Sequence, residues 1–145
     1  MTHLHGLEAL YLALGQALGI DGLRPDDAGC CRLVFDRNLM VQIRPAAAPP
    51  RLLLSGSLDA EPASGQADLL LRANAWSAGS GGGWFALDER GRVCLQAALP
   101  MDGLAAAQLA AAIETLLDTL ETWSKRLRQQ AASHWPRPHE LMQRI

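Results

Sequence analysis

"GGGWFALDERGRVCLQAALP", residues 81–100, decides the fold of this chain. Two short runs flank Glu89-Arg90-Gly91, a turn-forming triplet, so the stretch reads as a hairpin with strands over 84–88 and 92–99. In the second run Val93, Leu95, Ala97 and Leu99 fall on one face, because successive side chains of a strand point to opposite sides. An isolated hairpin is barely stable in water, so that face needs a cover. The cover follows at once. Pro100 and Asp102 introduce a long helix in which Leu109, Ile113, Leu116, Leu120, Trp123 and Leu127 recur at alternating steps of four and three. That is a continuous apolar seam, widened by Leu117.

Upstream of the hairpin, "SAGSGGG" at 77–83 is a flexible bridge from a second helix over 65–76. This helix carries Leu69, Leu70, Ala73 and Trp76, with Ser64 as a candidate cap. Earlier still, "CCRLVFDRNLMVQIR" at 30–44 holds two alternating runs around Asp36-Arg37-Asn38 and predicts another hairpin. "PAAAPP" at 45–50 is expected to be an extended connection outside the sheet, since proline removes a ladder donor. "RLLLSGSL" at 51–58 predicts a third strand, its leucine run pointing to burial on both faces. At the start of the chain Leu4, Leu7, Tyr11, Leu14 and Leu18 line one side of a helix over 3–18, with Leu10 at the flank and Gly19 as its stop. The order is α-β-β-β-α-β-β-α. This predicts an α+β fold, an antiparallel five-stranded sheet with three helices, as one domain over 1–132. Residues 133–145 contain two prolines and form a tail, either disordered or a short helix.

Composition narrows the function. Of 145 residues 49% are apolar and 19% charged, which is a globular balance. The net charge is −2, and no basic stripe interleaves with aromatics, so nucleic-acid binding has no footprint. "KRLR" at 125–128 reads as the solvated end of a helix. Cys30, Cys31 and Cys94 are odd in number and two are adjacent, which argues against a disulfide framework and for a reducing cytoplasm. Neither a signal-peptide pattern nor a membrane-length apolar run of about 18 residues is present, so no membrane insertion is expected.

Chemistry finds little purchase. Gly79 and Gly81 to Gly83 precede a strand, whereas a phosphate loop opens into a helix N-terminus. His3 and His5 lack the further ligands a metal would need. Cys31 and Cys94 sit on strand faces as small core residues, and no histidine lies between residues 6 and 133 to activate them. Asp26-Asp27 and Asp88-Glu89 fall in turns. No catalytic, cofactor-binding or metal-binding residue emerges, and the expected role is non-enzymatic.

The helix "LLLRANAW" at 69–76, with its Leu70-Leu71-x-x-Asn74 pattern, is followed by the glycine bridge and "WFALDERGRVCLQ". A Leu99-Pro100 step and a late helical Trp123 complete the series. In this order and spacing, over about residues 4 to 128, the chain resembles the class I chaperones of bacterial type III secretion, the Tir-chaperone family. The resemblance implies a cytoplasmic homodimer without cofactor that holds the N-terminal segment of a secreted effector in non-globular form. A client segment would add a strand to an open sheet edge and seat alternate side chains in apolar pockets. The candidate client-binding residues are Leu7, Leu10, Leu14 and Leu18 of the first helix, with Leu33, Phe35, Val41, Ile43, Leu52 and Leu54 of the first three strands. The resemblance also places a dimer interface on the second helix and the strand after it, at Leu70, Ala73, Trp76, Trp84 and Ala86. Two alternatives stand beside it. One is an α+β dimerisation or regulatory domain that binds a folded partner of a secretion or signalling complex. The other is a small-molecule-binding domain, disfavoured by the scarcity of polar residues at core positions.

Overall fold

A computed structural model describes residues 2–35, 39–58 and 60–133, with side chains from Gly6 to Gln130 within them. Helix α1 (Thr2–Leu18) leads into strands β1 (Cys31–Phe35), β2 (Leu39–Ala46) and β3 (Arg51–Ser57). Helix α2 (Gln66–Ala73), strands β4 (Trp84–Leu87) and β5 (Val93–Pro100), and helix α3 (Ala106–Ser133) complete the chain. The predicted class and element order are those observed. The sheet runs β1-β2-β3-β5-β4 with every neighbour antiparallel, so β1 and β4 are its two edges.

The six seam residues of α3, from Leu109 to Leu127, are all buried, as their spacing predicts. They join the inward faces of the strands and the inner side of α1 (Leu7, Tyr11, Leu14) in one apolar cluster. Helix α3 lies on β3 and β5 and packs along α1. Gly56 makes this close approach possible. A Cβ there would collide with the Leu120 side chain, so β3 is bare where α3 crosses it. Tyr11 ties α1 to the chain before β1 by donating its hydroxyl to the Gly29 carbonyl at 2.9 Å. Burial, with Cys31 and Cys30 nearby, pushes the Tyr11 phenol well above its ordinary range.

Three local expectations are corrected. Strand β2 runs on through Pro45 and Ala46, which pair with Leu52 and Arg51. Proline is tolerated because β1 reaches only to Ile43, leaving β2 a single neighbour beyond that point. The leucine run of β3 alternates instead of burying both faces: Leu52 and Leu54 are buried, Leu53 half-buried. Helix α2 stops at Ala73 and starts without a Ser64 cap. Its N-cap is Gly65 at φ 82° with no side-chain cap, and Gln66 Oε1 accepts from the Ala63 N–H just before the helix at 2.7 Å. The buried Gln66 amide also donates to the Leu127 carbonyl at 2.8 Å, docking α2 on the last turns of α3.

The second hairpin closes through Asp88, whose Oδ1 accepts from the backbone N–H groups of Arg90 and Arg92 at 2.8 and 2.9 Å. The hydrogen bond from Arg92 chiefly holds this carboxyl below the usual carboxylate range. Lys125 to Arg128 are mostly solvated as expected, but the helix continues to Ser133. The turn residues 36–38 and the tail from 134 onward lie outside the described residues.

Candidate functional site

The two edges of the sheet are built differently, and this difference defines the candidate site. At β4, Phe85 turns its backbone N–H and C=O away from β5, and the side chain of Asn74 takes both. The Phe85 N–H donates to Asn74 Oδ1 at 2.6 Å, and Asn74 Nδ2 donates to the Phe85 carbonyl at 3.0 Å. A side-chain amide thus occupies the place of a neighbouring strand. The Phe85 ring meets Trp123 edge to face, with centroids 5.2 Å apart at 68°. Trp123 Nε1 in turn donates to the Gly79 carbonyl at 2.7 Å, fixing the glycine bridge to α3. The bridge expected to be a flexible connection is thereby anchored at its centre.

At β1 no strand of the described residues lies on the far side. Instead the loop after α1 and the first two residues of β1 line a groove of about 510 Å³, with Leu23, Arg24, Pro25, Cys30, Cys31 and Arg32 among its walls. The turn that leads into β1 is fixed by Asp26, whose Oδ1 accepts from the N–H groups of Ala28 and Cys30, both at 2.9 Å. Cys31 is buried beside it, and desolvation raises its thiol above the ordinary range, so it stays protonated and unreactive.

The candidate client-binding residues divide sharply by accessibility. Leu7, Leu14, Leu33, Val41, Ile43, Leu52 and Leu54 are fully buried in the core cluster, while Leu10, Leu18 and Phe35 are half-buried at its margin. The candidate interface residues divide as well. Leu70 is buried at 4% exposure, whereas the next residue, Leu71, is 67% exposed. Ala73 and Ala86 are half-buried, and Trp84 is exposed, its Nε1 donating to Gln96 Oε1 at 2.9 Å. Trp76 is 99% exposed and stands in the left-handed region at φ 57°, with Ser77 beside it at φ 53°.

Sequence reasoning missed Asn74 as a functional residue, although its pattern with Leu70 and Leu71 was visible. Its role was hidden because its partner is backbone, eleven positions on, and leaves no mark in side-chain chemistry. Among the described residues no three metal-ligating side chains gather, and no helix is long and apolar enough to cross a membrane.

The chain is similar to a chain of the ExsC–ExsE complex at 26% identity, with a TM-score of 0.75 over 86% of this chain and 95% of that one. It is also similar, at 22% identity and TM-score 0.67, to a chain in the complex of the Yersinia pestis type III secretion chaperone SycH with a stable fragment of YscM2. That likeness covers 80% of this chain and 98% of the other. A chain of the HopA1–SchA chaperone–effector complex aligns at 24% identity and TM-score 0.63, over 83% and 91% of the two chains. The latter two likenesses show the fold. No curated protein matches the sequence significantly. The Tir chaperone model matches residues 12–124, most of the length, and the chain belongs to the Tir chaperone protein (CesT) family.

Proposed function

We propose that this chain is a type III secretion chaperone that binds the N-terminal segment of a secreted effector, in the cytoplasm, as a homodimer and without enzymatic activity. The observation that carries the reading is a family-wide fold with one sheet edge closed by Asn74 and the other open beside a groove. An unfolded client segment can satisfy its backbone by pairing with β1, which gives affinity with little dependence on sequence. The apolar contacts at its margin fall to Leu10, Leu18 and Phe35. The seven buried candidates shape the surface beneath them.

The second copy is assigned to the α2 side. An exposed tryptophan in a left-handed conformation costs about 1 kcal/mol or more of backbone strain. A central interface tryptophan commonly contributes about 2 kcal/mol or more when covered, enough to offset that strain. Leu71 and Trp76 are therefore the proposed anchors, with Trp84 and Ala86 on the neighbouring strand.

Co-expression with N-terminal segments of the proteins encoded beside it tests the reading. Expected is a complex of two copies of this chain with one segment, protease-resistant only in the complex. Capture of an intact folded neighbour alone would favour the regulatory-domain alternative.

A further inference from the structure

Among the described residues nothing covers the outward face of the sheet, opposite the core, and it forms a groove of about 800 Å³. Its character is amphipathic. Val34 (71% exposed), Met40 and Leu87 bring apolar surface, and Arg44 and Arg90 line the same hollow. Arg32 stands beside them, paired across the ladder with Gln42 on this face.

The charge on this face leans positive, with Arg44, Arg90 and Arg92 in the groove against Asp88 and Glu89. The strands contain Arg32, Arg44 and Arg51 and no acidic residue, although the whole chain carries a net −2. Arg51 donates to the carbonyls of Ala47 and Pro49. Asp88 on the rim is bound to the Arg92 guanidinium at 3.2 Å and to two backbone N–H groups. Arg32, Arg44 and Arg90 remain exposed, with no ion-pair partner among the described residues, against Glu89 alone.

We propose that this face binds an acidic amphipathic stretch of client chain, extended, with apolar side chains on Val34, Met40 and Leu87 and carboxylates on Arg32, Arg44 and Arg90. The identity of the partner as client rests on the chaperone reading; the chemistry of the face does not. An extended segment turns every second side chain to the face, so apolar and acidic residues alternating at i and i+2 match the spacing of Val34 and Arg32 on β1, and Met40 and Arg44 share that face of β2. Guanidinium groups pair with carboxylates through two parallel hydrogen bonds, which fixes register as well as sign. The site is continuous with the open edge, because Arg32 and Val34 project from β1 itself. A second copy is a poorer occupant: a two-fold contact through this face would set the same arginines against one another. A lipid bilayer is poorer too, being flat where the face is hollow.

The test uses the full chain and two short synthetic peptides, one repeating Val-Ser-Glu-Ser, so that valine and glutamate alternate on one face of the extended chain, and one repeating Val-Ser-Lys-Ser. The glutamate peptide is expected to shift the amide resonances of Val34, Met40, Gln42, Arg44 and Gln96. An Arg44→Gln/Arg90→Gln variant, with unchanged circular dichroism, should bind it at least tenfold more weakly, and added salt should weaken wild-type binding. Equal binding of the two peptides, shifts confined to other surfaces, or an unaffected variant would overturn the proposal. So would binding of phosphatidylserine vesicles through these arginines without peptide binding. Failure of the wild type to capture any secreted neighbour's N-terminal segment, with the peptide results intact, would instead sink the chaperone reading and leave the acidic-segment site standing.

Discussion

The two edges of one sheet face opposite fates. At β4 the single amide of Asn74 answers both backbone groups of Phe85, and Trp123 holds the Phe85 ring from the core side. At β1 a groove lies against Cys31 and Arg32 at the start of the strand, and Asp26 fixes the turn that leads into it. An unpaired edge is an aggregation hazard that proteins normally suppress. Here suppression is applied at one edge, and the other is the one we propose for a client segment. On the proposed function, strand addition has a built-in direction: a client would extend one edge, and the α2 side would carry the second copy.

The largest expected disruption of this contrast is Trp123→Ala. It removes the aromatic contact to Phe85 and the donor to Gly79, and should cost roughly 3–5 kcal/mol in urea unfolding. A loss under about 1 kcal/mol would show that the closed edge does not depend on α3. Asn74→Ala should cost about 2–3 kcal/mol, because two backbone groups lose their partner, and should open β4 to strand pairing. Concentration-dependent oligomers beyond the dimer are then expected in light scattering. A stable variant with unchanged mass would mean that Asn74 does not guard the edge.

Trp76→Ser separates the two partners instead of the two edges. Dimer dissociation should strengthen by about 2 kcal/mol, near thirtyfold, with client capture at β1 retained. If the dimer is unaffected, the α2 side is not the self-association surface. The smallest effect is alkaline. Tyr11 and Cys31 near β1 and Cys94 in β5 all have raised folded-state values, with desolvation as the leading cause. Unfolded, the thiols ionise above roughly pH 8.5 while the folded ones stay protonated. Their stabilisation is therefore complete below that pH and is lost as pH rises. The unfolding midpoint in urea should hold level up to about pH 8.5 and fall from there towards pH 10, and a profile flat over that upper range would contradict the burial of these groups.

Much of the fold was legible in the sequence because it rests on periodicity. Every seam residue of α3 lies where its spacing puts it, and both hairpins pair in the expected order. Pro45 misled because a strand can be interior over one half and an edge over the other, which depends on how far its neighbour reaches. Site residues were harder. Leu70 and Leu71 are indistinguishable by type, yet one is core and the other surface, since a helix turns about 100° between them. Apolar periodicity marks what faces inward, so it selected Leu14, Val41 and Ile43, which the core keeps. The residues that set the two edges apart, Asn74 and Asp26, act on backbone and carry no pattern of their own.

Hydrogen exchange of the free protein and of its client complex, read residue by residue in β1 and β4, tests the central claim most directly. The account predicts that a bound client segment slows exchange of amides in Arg32 to Phe35 by at least tenfold and leaves Phe85, already bonded to Asn74, unchanged. New protection in β4 with none in β1 would contradict it.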